Sequence, residues 1–271
     1  MAITKKALVK TLVEKDTMFM HGKKIIVSGP QEDRVIRAFN NVRFYKSDMS
    51  GKCDSLHSST KNELTQLIGK PVLWNNENQM TGNVMHLIGN NETGKLDSLK
   101  VLNNAFIIQK DSLSKNGFNQ MKGQNLFGRF EENKLKEVDI IKNAESIYYI
   151  YNDKNEFVGI RKSVCSRINL EMNENKIETM TGFNNTESNI YPDNEFPENA
   201  RKLRGFAWRG DERILSKENI FPEEELAIDA KVQIDAQKKA IESDKPMEIQ
   251  KETLEYDEKN PKPKDKTVKK L

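Results

Sequence analysis

The feature that most restricts what this chain can fold into is an internal repeat with a period near 40 residues. Such a period marks stacked units, none of which can bury its apolar face alone, so neighbours must share one interior. One copy reads Gln79-Met80-Thr81-Gly82, then Lys95-Leu96, then Asn104-Ala105; the next reads Gln120-Met121-Lys122-Gly123, Lys134-Leu135 and Asn143-Ala144. The offsets between them are 41, 39 and 39 residues. A partial copy places Lys176-Ile177 before Asn185, and an earlier one has Met20-His21-Gly22 followed by Asn41-Val42. The interval from Met20 to Met80 is longer, 60 residues, and a helical turn or long connection over Asn62 to Ile68 is expected to fill it.

Within each unit the pattern is that of strands. Asn41-Val42-Arg43-Phe44-Tyr45 and Lys136-Glu137-Val138-Asp139-Ile140 alternate with a period near two and are rich in β-branched or aromatic residues. Gly82, Gly94, Gly123, Gly128, Gly159 and Gly182 punctuate them as turns require. The chain therefore reads as all-β and repetitive over residues 1–222. Past Tyr191, between Pro192, Pro197 and Pro222, the stretch Arg201 to Trp208 is expected to form a final strand that caps the stack. Residues 223–242 carry acidic residues first and lysines later, as a C-terminal helix favours, and the Lys/Glu-rich segment 243–271 is expected to be a disordered tail.

Composition narrows the function. With 44 basic against 41 acidic residues there is no electrostatic footprint for nucleic acid, and no apolar run reaches the length of a membrane-spanning helix. Cys53 and Cys165 lack metal-site spacing and read as two unpaired thiols, with a single disulfide between them as the alternative. His21, His57 and His86 fall in no metal or catalytic spacing, which leaves them as surface or strand residues. No cofactor is called for. Asp54, Asp97 and Asp139 would be the carboxylates of a polysaccharide-active β-helix enzyme, a reading ranked below two non-enzymatic ones.

The alternating apolar positions Val42, Phe44, Val84, Leu99, Ala105, Ile107, Val138, Ile140 and Ala144 are first of all core; in a partly closed sheet the same residues line a groove for acyl chains. Arg201, Lys202 and Arg204, with Arg209 and Arg213 close by, form the one local basic cluster; they read first as a solvated face that adds solubility and otherwise as the candidate phosphate contacts.

Taken together, Asn41 to Lys46 with Gly51 to Leu56, Pro71 to Trp74 with Asn78 to Gly82, Phe118 to Gly123, and the late stretch Leu203 to Arg213 resemble the OstA/LptA-like proteins, specifically the OstA-like group of Bacteroidetes. The resemblance spans about Thr17 to Pro222. It implies a stacked, twisted β-jellyroll whose apolar interior carries lipopolysaccharide acyl chains across the periplasm towards the outer membrane. It also implies partners among the related jellyroll domains of inner- and outer-membrane transport proteins, with end-to-end self-association, and an export signal and further repeat units ahead of the point where this chain begins. The alternative is a structural or adhesive β-solenoid with a closed interior.

Overall fold

A computed structural model describes residues 1–235 apart from 14, 15, 91, 115, 174, 175, 229, 230, 232 and 233. Met1–Glu225 forms one compact unit and Leu226–Leu271 a second. The first is a single antiparallel sheet of fourteen strands. They are β1 (Ala2–Val13), β2 (Asp16–Ser28), β3 (Val35–Lys46), β4 (Met49–Ser59), β5 (Leu64–Ile68), β6 (Val72–Asn75) and β7 (Asn78–Thr81), followed by β8 (Val84–Gly89), β9 (Leu96–Lys110), β10 (Phe118–Glu131), β11 (Lys134–Tyr151), β12 (Phe157–Asn173), β13 (Lys176–Phe183) and β14 (Glu187–Tyr191).

The strands from β5 to β8, and β13 with β14, are halves of longer bent strands. β4 pairs with both β5 and β6, β9 with both β7 and β8, and β12 with both β13 and β14. Every long strand crosses the same line of bends, in one of two ways. On β3, β9 and β11 the inner residues Ala38 and Val42, Val101 and Ala105, Ile140 and Ala144 flank a pair in the left-handed region: Asn40-Asn41, Asn103-Asn104 and Lys142-Asn143. Gly69-Lys70 and Asn184-Asn185 serve likewise at the β5/β6 and β13/β14 breaks. Asparagine tolerates this conformation because its short amide satisfies nearby backbone groups. The antiparallel neighbours cross the line in the opposite sense with one residue fewer between paired positions, leaving a small inner residue there. Gly22, Cys53, Gly123 and Cys165 lie opposite Ala7, Val42, Ala105 and Ala144. A Cβ on Gly123 would stand 2.6 Å from Ile140 Cγ2, and one on Gly82 2.3 Å from Val101 Cγ1, so nothing larger fits at either.

The repeat is thus a pair of strands, and its Asn and Gly landmarks are the bends. The 60-residue interval hides one more copy, in which Cys53 takes the glycine position. Its expected helical turn is instead the β4–β5 turn and strand β5.

Folding along the bends gives two layers that bury their inner faces in one cluster running from Ala7 to Met172. On one layer a single apolar row crosses the whole sheet in register: Ile3, Ile25, Ala38, Leu56, Leu67, Met85, Val101, Leu126, Ile140, Ile168 and Gly182.

The segment after β14 is not the expected capping strand. It runs as short 3-10 turns, Asp193–Glu195, Glu198–Ala200, Gly210–Glu212 and Lys217–Ile220, and lies as a strap over the outer face of the other layer. There Phe196, Leu203, Phe206 and Trp208 cover Phe106, Ile108, Ile147, Tyr149 and Ile160. Residues 223–228 are helical; most of the remaining expected helix and the whole of 243–271 lie outside the described residues.

Candidate functional site

The apolar interior is the candidate site. Of the nine groove residues expected from the sequence, Val42, Phe44, Leu99, Ala105, Ile107, Val138, Ile140 and Ala144 meet in the one buried cluster, none more than 4% exposed. Val84 does not join them. It follows the corner at Gly82, where Gly82 and Met85 take the inward positions, so a one-residue offset turns Val84 outward.

Two properties set this interior apart from an ordinary sandwich core. Met18, Met20, Met49, Met80, Met85, Met121, Met172 and Met180, eight of the chain's ten methionines, line it. Unbranched thioether side chains re-pack at little cost and suit surfaces that must accept irregular apolar shapes. The layer beneath the strap also changes character towards its rim. Its first full row reads Val9, Met20, Phe44, Gly51, Leu73, Met80, Ile107, Met121, then Ser146, Ser163 and Ser188. The next row out carries Met49, Asn75, Asn78, Gln109 and Asn119, and further along Tyr148 and Arg161. The apolar interior is thus edged by amides on one long side, which gives apolar and polar groups separate surroundings.

The strap is held by the repeat itself. Gln79 Nε2 donates to Ala207 O at 2.8 Å while its Oε1 accepts from Arg209 N at 2.6 Å. One repeat further on, Gln120 Nε2 donates to Arg201 O at 2.7 Å and Oε1 accepts from Leu203 N at 2.9 Å. Each amide grips a backbone C=O and the N–H two residues later.

The candidate phosphate contacts fare differently. Arg201 is committed to the strap, donating to Phe196 O at 3.0 Å, Asp193 O at 2.7 Å and Asp193 Oδ1 at 2.8 Å, so its guanidinium is spent on structure. Lys202 lies over the Phe206 ring, and exposed Arg204 edges a surface cavity of about 670 Å³ at the bends, with Lys122, Lys142 and Glu145. Arg209 pairs with Glu212, which also receives Lys52. The Arg209 hydrogen bond, with Lys52 behind it, outweighs partial burial and holds the Glu212 carboxyl at about 2. A carboxyl depressed from 4.5 stabilises the fold above that value and loses its contribution as pH falls towards 2. Solvent screens this half-exposed group, so the effect is local. Acidification across this window will loosen the strap tip, read as a change in Trp208 fluorescence, and the change will shrink in Glu212→Gln; an unaltered acid response in that variant would remove Glu212 as its cause.

Cys53 and Cys165 are free and buried on different strands, and burial pushes the Cys53 thiol up to about 12, which leaves it unreactive. Asp54, Asp97 and Asp139 sit on three strands that are not neighbours, and Asp139 is engaged by Arg167 and Asn169. His57 and His86 are strand residues, as expected. His21 was not legible as what it is: fully buried, its Nδ1 is 2.9 Å from Ala7 O and its Nε2 3.2 Å from Glu225, with Phe221 edge-on, so it anchors the chain's exit from the sheet.

No family model matches the chain. Nor does any curated protein. Among solved structures, the chain is similar to LptH of Pseudomonas aeruginosa, described as the LptA homologous periplasmic component of the lipopolysaccharide transport device. The match has a TM-score of 0.40 and 14% identity over 54% of this chain and 99% of that one.

Proposed function

We propose that this chain is a periplasmic lipopolysaccharide-binding and transport module that conducts acyl chains along the interior of its jellyroll towards the outer membrane. The observation that carries the reading is the apolar row that crosses every long strand in register, from Ile3 to Ile168, without interruption by a charged residue. A storage or adhesive protein has no need of continuity along its axis, whereas a conduit does. The methionine lining supports it, because acyl chains enter only if the two layers part along the rim and the interior re-packs around them. Burial of each methylene is worth about 0.8 kcal/mol, so a chain of ordinary length offsets a substantial opening cost. Both ends of the sheet support assembly with related modules. Among the described residues β1 pairs with β2 alone, and β13 and β14 with β12 alone, so each end of the sheet is an edge at which another strand could add.

A structural solenoid is the second reading, and one observation favours it: the interior is filled by the chain's own side chains, with Ile140 and Leu126 fully buried. Photo-crosslinking separates the two. Crosslinkers at Ile107 and Ile140, with Lys136 as the control, will form adducts with purified lipopolysaccharide at the two interior positions only. A folded protein that gives adducts at none of the three is the closed solenoid.

A further inference from the structure

The serines that end the inner row form the floor of a second, smaller feature. On β11, β12 and β14, Ser146, Ser163 and Ser188 lie side by side, with Tyr148, Arg161 and Ile190 in the adjacent row. Strands earlier in the same row carry Ile107 and Met121, so the change to hydroxyls is confined to the C-terminal end of the interior. A cavity of about 110 Å³ opens there between the layers, bordered by Ser146, Arg161, Ser163, Thr186, Ser188 and Met180.

Its polar groups are incompletely used. Ser163 and Ser188 share one hydrogen bond at 2.9 Å, but fully buried Ser146 has no partner for its Oγ, and the enclosed Nε of Arg161 has no acceptor among the described residues. Among the described residues the lining contains no carboxylate. Desolvation pushes the Arg161 guanidinium below its ordinary value, with only Tyr148 opposing. A guanidinium N–H and a hydroxyl enclosed without partners both destabilise a fold, and both are what an oxyanion needs: Arg161 is half-buried, so its planar fork of N–H donors, with the serine O–H donors beside it, stays reachable from the cavity mouth. The volume is that of roughly three or four water molecules, room for a phosphate group and too little for an acyl chain.

We infer that the C-terminal end of the interior is an oxyanion site in which Arg161, Ser146 and the Ser163–Ser188 pair bind a phosphate group, carried by an amphiphile whose chains occupy the methionine-lined trough or present as free phosphate. The lipid source rests on the transport reading above; the site itself does not. It sets polarity along the conduit, because an amphiphile's charged end is held at the last layers while its chains extend towards the first.

The test uses the full chain and three probes. Binding of dioleoyl phosphatidic acid and of dioleoylglycerol is measured in non-ionic detergent micelles, and inorganic phosphate is titrated against the Arg161 Nε–H resonance. The wild type will favour the phosphorylated lipid by about tenfold or more, as charged hydrogen bonds warrant. Arg161→Met will bring that ratio near one with dioleoylglycerol binding unchanged, and will keep or raise the thermal midpoint, because it removes an N–H enclosed without an acceptor from a half-buried side chain. A fall in the midpoint, with selectivity retained, marks a structural arginine and overturns the site. If Arg161→Met does not fold, a Ser146→Ala and Ser188→Ala double variant takes its place in the ratio measurement. A phosphate-induced shift without lipid selectivity assigns the site to free phosphate. Equal binding of both lipids with no phosphate response overturns the site and leaves the transport reading standing; binding of no probe overturns both.

Discussion

Ile140→Ala will lower the stability of the sheet by about 2–5 kcal/mol, the range for truncating a large aliphatic side chain in a close-packed interior. The value should fall towards the upper end of that range. Ile140 is fully buried in the middle of the continuous row, in register with Leu126 on one side and Ile168 on the other, and its Cγ2 is the atom that leaves Gly123 no room for a Cβ. The backbone at this point is fixed by the left-handed pair Lys142-Asn143, so collapse around the cavity is restricted. Lys136→Ala, on the same strand but facing out, should change stability by less than about 0.5 kcal/mol. Urea unfolding followed by circular dichroism measures both. A loss under about 1 kcal/mol at Ile140 would mean that the interior is already loose enough to absorb the cavity, which counts against close packing there. The same variant bears on function: a dry apolar cavity binds hydrocarbon, so Ile140→Ala should take up a short acyl chain better than the wild type does if the trough is the lipid path.

The sequence was most legible where the fold leaves the chain least choice. At each bend one strand must turn through two left-handed residues and its neighbour must keep a small inner residue, and few side chains meet either demand. Asn41, Asn104, Asn143 and Asn185, with Gly22, Gly82 and Gly123, were therefore visible as a repeat, although their role as corners was not. The copy at Cys53 escaped because cysteine satisfies the same steric demand and breaks the letter pattern. Val84 was misplaced because the corner at Gly82 shifts the inward phase by one residue, and alternation alone does not reveal where a strand turns a corner. The strap was the largest misreading. Residues 201–208 alternate aromatic and basic residues as an edge strand does, but their backbone groups are taken by side-chain amides from β7 and β10, 81 to 130 residues distant in sequence. The clue lay in the repeat itself: an outward position that would be charged in a solvated sheet is glutamine in both copies. Arg201 looked like a ligand for the same reason, since its carbonyl and carboxylate partners are set by turns that composition does not disclose.

Those glutamines yield the other large effect. Gln79 and Gln120 are buried to 0% and 1% exposure, so water does not replace their bonds to the strap. In Gln120→Leu, Arg201 O and Leu203 N lose their amide partner beneath the apolar cover of Phe196 and Leu203; in Gln79→Leu the same befalls Ala207 O and Arg209 N. Buried backbone groups without partners cost about 1–3 kcal/mol each, so each single variant should weaken strap docking by about 2–4 kcal/mol once the added apolar burial of leucine is set against it. The sheet does not depend on these bonds, because its strands are paired by their own backbone. Local opening should therefore rise tens- to hundreds-fold without global unfolding, and trypsin should cut at Arg201, Lys202, Arg204, Arg209 and Arg213 correspondingly faster. Gln124→Leu, exposed at the bend of the same strand β10, should leave the digestion rate unchanged. The double variant decides whether the two amides hold one rigid strap or two separate contacts. If the cleavage rates of the single variants multiply, the contacts open independently; if either single variant is already as fast as the double, the strap lifts as one piece. Either result locates how the outer face of the candidate lipid layer is uncovered, since Ile108, which lies between Gln79 and Gln120 in register, has Met80 and Ile107 directly across the sheet from it.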